Sequence, residues 1–191
     1  MKNEKELIAK ARNNDQAAIE QLLRNYQGRL LGYLVRILGD RHLAEDILQE
    51  SYLKIIKALK TYKEQGAFKS WLFQIVHREA LQELRRRKTK MKVIANNSVT
   101  QEDLPQKVTT EGHDRQIIRQ DRIDELKTAI DSLPEAEKEI VNLRVYSGMT
   151  FKEISELIKI PINTALGRMH NAMKRLKHFI NVQEAANEMQ R

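Results

Sequence analysis

The sequence predicts an all-α protein: two small helical domains joined by a flexible linker, the C-terminal one a four-helix domain containing a helix-turn-helix. Three observations carry this. Apolar residues recur at intervals of three and four over long stretches of the 191 residues, the period of an amphipathic helix. Turn formers are scarce, with 7 Gly and 3 Pro, and aromatics make up only 5%, unlike the short, turn-punctuated runs of a β fold. The periodicity lapses over 96–114, where Asn, Thr, Gln and mixed charges surround Pro105 and Gly112. Such composition reads as a linker, with a short helix inside it as the alternative.

The first helix is expected over 4–13, with Leu7, Ile8 and Ala11 on one side. Asp15 is placed to cap the second, 16–38, which buries Ile19, Leu22, Tyr26, Leu30, Leu34 and Leu38 along one side. Gly28 and Gly32 interrupt it. Each costs ~1 kcal/mol of helix propensity against alanine, which close helix packing or a slight bend would explain. Gly39 stops the helix and Asp40 starts the next.

The third and fourth helices, 41–59 and 69–88, face each other across the loop 60–67. The third is apolar along Leu48, Tyr52, Ile55 and Leu59, and its other face carries Glu45, Asp46, Gln49, Glu50 and Lys54. The fourth carries the stripe Leu72, Val76, Ala80 and Leu84 and closes on Arg85, Arg86, Arg87 and Lys88. Phe68 and Trp71 read as core. Tyr62, in the loop beside Lys63, is less committed to packing and so open to stacking on a single-stranded base. His42, and His77 with Arg78 and Glu79, read as surface residues.

Beyond the linker, Ile123, Leu126, Ala129, Ile130 and Leu133 mark a helix ended by Pro134, and 135–146 marks another, broken at Ser147 and Gly148. Thr150 and Glu153 stand at capping-box spacing before a short helix to Ile158. A turn through Pro161 follows, and Asn163 is a good cap for the last helix, with Ala165, Met169, Ala172, Met173, Leu176, Phe179 and Ile180 turned inward. The polar tail beyond 181 is expected to fray.

A short helix, a tight turn and a longer basic helix make a helix-turn-helix, whose second helix fits the DNA major groove. Lys174, Arg175 and Lys177 suit phosphates, while Arg168, His170 and Asn171 can hydrogen-bond bases. A plain helical hairpin with a soluble face is the alternative. The formal net charge of +8, with 26 acidic residues, describes a patterned surface favouring a polyanion. With no cysteine, disulfides and thiolate metal sites are excluded. The five histidines lack metal spacing, and there is neither a phosphate-binding glycine loop nor a nucleophile motif, so no cofactor and no enzyme are expected. No apolar run approaches the roughly 20 residues that span a bilayer, so no direct membrane insertion and a cytoplasmic place are expected.

Gly39-Asp40 followed by Ala44-Glu45-Asp46-Ile47-Leu48-Gln49-Glu50, then Phe68-Lys69-Ser70-Trp71-Leu72 with Ile75, Leu133-Pro134, and Gly148-Met149-Thr150-Phe151-Lys152-Glu153-Ile154 complete the pattern. In order and spacing it resembles the extracytoplasmic-function sigma factors of bacterial RNA polymerase, in the sigma-70 superfamily. The resemblance implies a region 2-like domain over 1–94, a linker over 95–115, a region 4-like domain over 116–181 and a tail over 182–191. It implies that Asp46, Gln49 and Glu50 dock on the clamp coiled coil of core RNA polymerase, with the flap as a further contact. Tyr62, Lys63, Lys69, Arg78, Arg85 and Arg86 would meet the minus-10 DNA as it opens. Asn163, Thr164, Leu166, Gly167, Arg168, His170, Asn171, Lys174 and Arg175 would meet the minus-35 element. An anti-sigma factor, often membrane-bound, is the implied regulator.

The chain departs from the family at several of these positions. Arg78 stands where many relatives have asparagine; Leu166 and Asn171 stand at frequent basic positions, and Gly167 at a small polar one. A free-standing helix-turn-helix regulator is the competing reading. It would need a ligand pocket or dimer surface in the N-terminal half.

Overall fold

The computed structural model describes residues 2–64, 66–97 and 126–189. Four helices form the first module: α1 (Lys2–Arg12), α2 (Gln16–Leu38), α3 (Arg41–Leu59) and α4 (Phe68–Asn97). The second contains α5, described over 126–131, α6 (Glu135–Asn142), a π turn (Leu143–Ser147), α7 (Phe151–Ile158) and α8 (Ile162–Met189). The stretch 98–115 expected as linker, the stretch 116–125 expected to begin the next helix, and the last two residues lie outside the described residues.

Local chemistry sets most boundaries. The Asp15 side chain accepts from the Ala18 amide, and Asp40 from the Leu43 amide. Gly39 ends α2 in the left-handed region at φ 69°, where a side chain would be strained. The larger differences from the sequence reading are these. Helix α4 continues past Lys88 to Asn97. The helix after Pro134 widens at Leu143 into a π turn. Helix α8 begins at Ile162, with the Pro161 carbonyl taking the Thr164 and Ala165 amides, so Asn163 sits in its first turn and is not its cap. At the other end α8 stays helical to Met189 where fraying was expected.

The two modules share a core. One buried cluster runs from Ile8 and Leu22 through Leu34, Phe73 and Val76 to Ile140, Leu143, Met149 and Ile154. A smaller one joins Ala129, Leu133 and Val141 to Ala172 and Leu176. Buried aliphatic side chains contribute ~1.5–3 kcal/mol each, whereas exposed ion pairs contribute roughly 0.2–1. Burial therefore holds the seam, and polar contacts fix its register. Gly32 explains itself here: a Cβ on it would lie 3.1 Å from the Tyr146 ring, so the glycine lets the π turn close on α2. Gly28 has nothing within 4 Å of that position, so close packing does not explain it. Across the same seam Arg36 reaches Asp131 at 2.8 Å and the Lys127 carbonyl at 3.3 Å.

His77 and Glu79, read as surface residues, are buried at 5% and 7% exposure. Glu79 pairs with Lys54. His77 Nδ1 lies 2.5 Å from the Tyr33 hydroxyl, and Nε2 lies 3.5 Å from Glu139 of α6. Burial, reinforced by the Glu139 charge, raises the Tyr33 pKa well above the phenol range, so that hydroxyl keeps its proton and donates. Burial pushes the imidazole down to about 4. His77 is thus neutral near pH 7, and its approach to Glu139 is that of a neutral N–H to a carboxylate.

Candidate nucleic-acid interface

The helix-turn-helix is built by local bonds. The Thr150 hydroxyl accepts from the Glu153 amide and the Glu153 carboxylate accepts from the Thr150 amide at 2.7 Å, which makes the capping box. Lys159 turns the chain at φ 57°, and α8 then lies across α6 and α7. Ala165, Ala172 and Leu176 are buried, and Met169 and Phe179 half-buried. Met173 and Ile180, expected inside, are 53% and 42% exposed, because the two modules leave that flank of α8 uncovered.

Asn163, Leu166, Gly167, His170, Asn171, Lys174 and Arg175 are exposed on α8, and Thr164 and Arg168 are half-exposed. The expected reading residues therefore share an accessible surface. Over 162–182 this helix holds Arg168, Lys174, Arg175 and Lys177 and no Asp or Glu. Arg175 is partly committed, since its Nε lies 3.3 Å from Glu137. Lys174 has no such partner among the described ion pairs.

The α3 surface is equally open. Asp46, Gln49 and Glu50 are exposed on the side away from Ile47, Leu48 and Ile55. Leu53, one turn on, joins them at 63% exposure. The sequence held a signal for it: an apolar residue at the spacing of the polar face.

The loop between α3 and α4 is turned inward. Tyr62, expected to be free of packing, is 7% exposed. Its ring lies 4.7 Å from Trp71 and 5.4 Å from Phe68, and Phe68 lies 5.9 Å from Tyr26. The aromatics satisfy one another, which corrects the reading of Tyr62 as uncommitted. Beside this cluster is a cavity of about 450 Å³ lined by Thr61, Tyr62, Lys63, Ser70 and Trp71, with Glu153 and Glu156 of α7 on its far wall. The Ser70 hydroxyl donates to Glu153, and Lys69 Nζ donates to the Gly148 carbonyl at 3.1 Å. Partial burial works to raise the Glu153 carboxyl; bonds from Ser70 and Thr150, with Lys69 nearby, outweigh it and hold the group below the usual carboxylate range.

Lys63, Arg78, Arg85 and Arg86 are exposed. Arg86 is bound to Glu83 at 2.6 Å and Arg87 to Glu83 at 3.2 Å, so the basic end of the expected fourth helix is neutralised in part by its own carboxylate. Lys69 stands apart from these cations, occupied at the seam.

Among the described residues no group of His, Cys, Asp and Glu could hold a metal ion, and no helix is long and apolar enough to cross a membrane.

Family models place both modules. Sigma-70 region 2 matches residues 22–90, and Sigma-70, region 4 matches residues 123–176. The RNA polymerase sigma-H factor of Pseudomonas aeruginosa is 26% identical over 88% of this chain and 89% of its own length. The ECF RNA polymerase sigma factor SigE of Mycolicibacterium smegmatis is 27% identical over 87% of this chain and 64% of its own length. Among solved structures, the sigma factor RpoE of Bartonella quintana, in complex with the anti-sigma factor NepR, matches with a TM-score of 0.65 at 19% identity. That match covers 85% of this chain and 96% of RpoE.

Proposed function

The chain belongs to the extracytoplasmic-function group of the sigma-70 family of RNA polymerase sigma factors, and on that premise we propose that it binds core RNA polymerase, directs it to specific promoters and helps open the minus-10 DNA. The observation that carries this reading is the pairing of two exposed surfaces of opposite character on one chain. The α3 face presents Asp46, Gln49 and Glu50, and α8 presents four cations and no carboxylate over 162–182. The acidic face suits the clamp coiled coil of the polymerase, with the flap as a second contact. The basic helix suits the minus-35 major groove, where Lys174 positions and Arg168, His170 and Asn171 read.

Opening the minus-10 element costs a few kcal/mol of unstacking per base, which a pocket and a stacking surface offset. Once Glu153 and Glu156 withdraw from the cavity beside Tyr62 and Trp71, its aromatic wall and the Lys63 rim would offer a flipped base a stacking surface and a cation. Lys69, Arg78, Arg85 and Arg86 would follow the strands. The chain supplies recognition while the polymerase does the chemistry, so it acts in the cytoplasm, needs no cofactor and is no enzyme by itself. A protein of the same fold, RpoE, is seen with an anti-sigma factor, and a protein of that kind, free or membrane-bound, is the proposed regulator.

The test is reconstitution with core polymerase. Asp46→Lys with Glu50→Lys should lower core binding by two orders of magnitude or so and abolish promoter-directed transcripts. Binding that survives the double reversal removes α3 as the docking face. Permanganate reactivity of minus-10 thymines should appear with the holoenzyme and be absent with core alone.

A further inference from the structure

Helix α8 presents an apolar residue at the margin of its polar, outward surface. Leu166 is 44% exposed; Ile162, one turn before it, is 45% exposed, and Met173, two turns after, is 53% exposed. The three form a row along one margin of the face that carries Asn163, His170 and Lys174. Next to Leu166 the backbone is bare, for a Cβ at Gly167 would meet nothing within 4 Å. A partner can therefore come close to the helix at this point. An exposed apolar row of this kind marks a contact surface.

Charge narrows the partner. From 162 to 182 the helix carries Arg168, Lys174, Arg175 and Lys177, with His170 and His178, and no acid. That suits a polyanion with some apolar surface of its own. Duplex DNA has one such group in the major groove, the C5-methyl of thymine; guanine, adenine and cytosine offer only donors and acceptors there. Leucine cannot bond to those. Pressed against them it would strip water and return nothing, at the full cost of an unmade hydrogen bond. Against a thymine methyl it buries carbon on carbon.

We propose that Leu166 is a specificity residue of the upstream promoter element, selecting thymine at one position by contact with its methyl group, with Ile162 and Met173 extending the apolar margin. This rests on the minus-35 reading above and adds its chemistry. Where a basic residue at this place would take a phosphate or a guanine, Leu166 makes a contact that is blind to salt and sensitive to a single methyl.

The test uses holoenzyme formed from the full chain and core polymerase. Upstream sequences are selected from a randomised duplex library, and each selected thymine is then replaced singly by deoxyuridine, which removes only the methyl. One replacement should weaken binding about fourfold, the factor for one buried carbon. Leu166→Ala holoenzyme should bind the thymine and uracil duplexes equally. Leu166 is exposed, so the variant folds, and a circular dichroism melt matching the parent checks this.

A uracil penalty of the same size in Leu166→Ala overturns the proposal. So does a loss of core polymerase binding by that variant without DNA, which would assign the leucine to a protein contact. Selection of a defined site in which every uracil replacement is silent also defeats the leucine's role and leaves the promoter-reading role standing. Failure of the parent holoenzyme to enrich any upstream sequence would remove that role itself.

Discussion

The two proposed DNA-facing regions of this molecule stand in opposite states. The outward side of α8 is open, free of acid over 162–182 and backed by a capped helix. The loop before α4 is closed, its aromatics packed together and its cavity walled by Glu153 and Glu156. One residue links the two. Glu153 completes the capping box that orders the helix-turn-helix, and it also takes the Ser70 hydroxyl at the mouth of the loop cavity. With Lys69 on the Gly148 carbonyl, two donors in the first turn of α4, beside the loop, are spent on the second module. Elements centred near minus-10 and minus-35 lie roughly 25 base pairs apart, ~85 Å of duplex at 3.4 Å per pair. Modules that share a core do not reach both. On the proposed function, the described arrangement would read upstream DNA and would have to come apart at the seam before holding a melted base.

Acid should weaken the closed side most. An unfolded histidine titrates near 6.5 and His77 in the fold near 4. Below pH 6.5 the unfolded chain takes up a proton that the folded chain refuses, so stability is full above that pH and falls as pH drops toward 4. The loss approaches roughly 3 kcal/mol, at about 1.36 kcal/mol for each pH unit between the two values. Glu139, raised chiefly by burial, acts in the opposite sense and offsets part of it. Urea midpoints at pH 7 and pH 4.5 should therefore fall further for the parent than for His77→Gln. Equal falls would show that the imidazole at the seam is not what acid attacks.

A wedge should release the loop. Gly32→Trp thrusts a ring at Tyr146, whose edge is already 3.1 Å from where the Cβ would stand. The modules should separate, read by fluorescence transfer between two cysteines introduced into this cysteine-free chain. Affinity of the free protein for a single-stranded minus-10 oligonucleotide should rise about tenfold, the equivalent of ~1.4 kcal/mol. Tyr146→Ala in the same chain should restore the closed state. The control is Gly28→Ala, one turn away with open space, which should gain up to ~1 kcal/mol of helix propensity and leave the seam alone. Separation without a gain in single-strand binding would break the comparison drawn above.

How far the sequence could be read depends on the reach of each interaction. Asp15, Gly39, Asp40 and the Thr150–Glu153 box each bond backbone groups within four residues, and all four are visible as residue types in place. The stripes of α2 and α3 were legible for the same reason. Tyr62 escapes a local reading because its packing depends on Phe68 and Trp71, beyond the loop. His77 looked like a surface residue beside Arg78 and Glu79; its partner Tyr33 is 44 residues away. The shared core brings α2 against a π turn more than a hundred residues later, and no local pattern announces it. The outward surface of α8 was largely legible, since a helix's exposed side follows from its buried one. Met173 and Ile180 belong to the apolar stripe yet stay exposed, because a stripe does not say how far the neighbouring helix extends.

The open side offers a smaller and more selective test. Lys174 and Arg175 look alike in sequence, both being cations near the end of the reading segment. In the fold Arg175 lies 3.3 Å from Glu137, whereas Lys174 is exposed on the outward face. A cation that already has a carboxylate neutralises less of a phosphate and displaces less of the counterion cloud. Lys174→Ala should therefore reduce the salt slope of holoenzyme binding to duplex promoter DNA by about one unit, and Arg175→Ala by clearly less. Glu137→Gln frees the guanidinium and should raise the slope of an otherwise unaltered chain. Measured from about 50 to 200 mM salt, equal losses for the two cations would mean that the Glu137 contact dissolves when DNA arrives. In that case the second module, too, rearranges on binding, and the contrast between an open and a closed side would be one of degree.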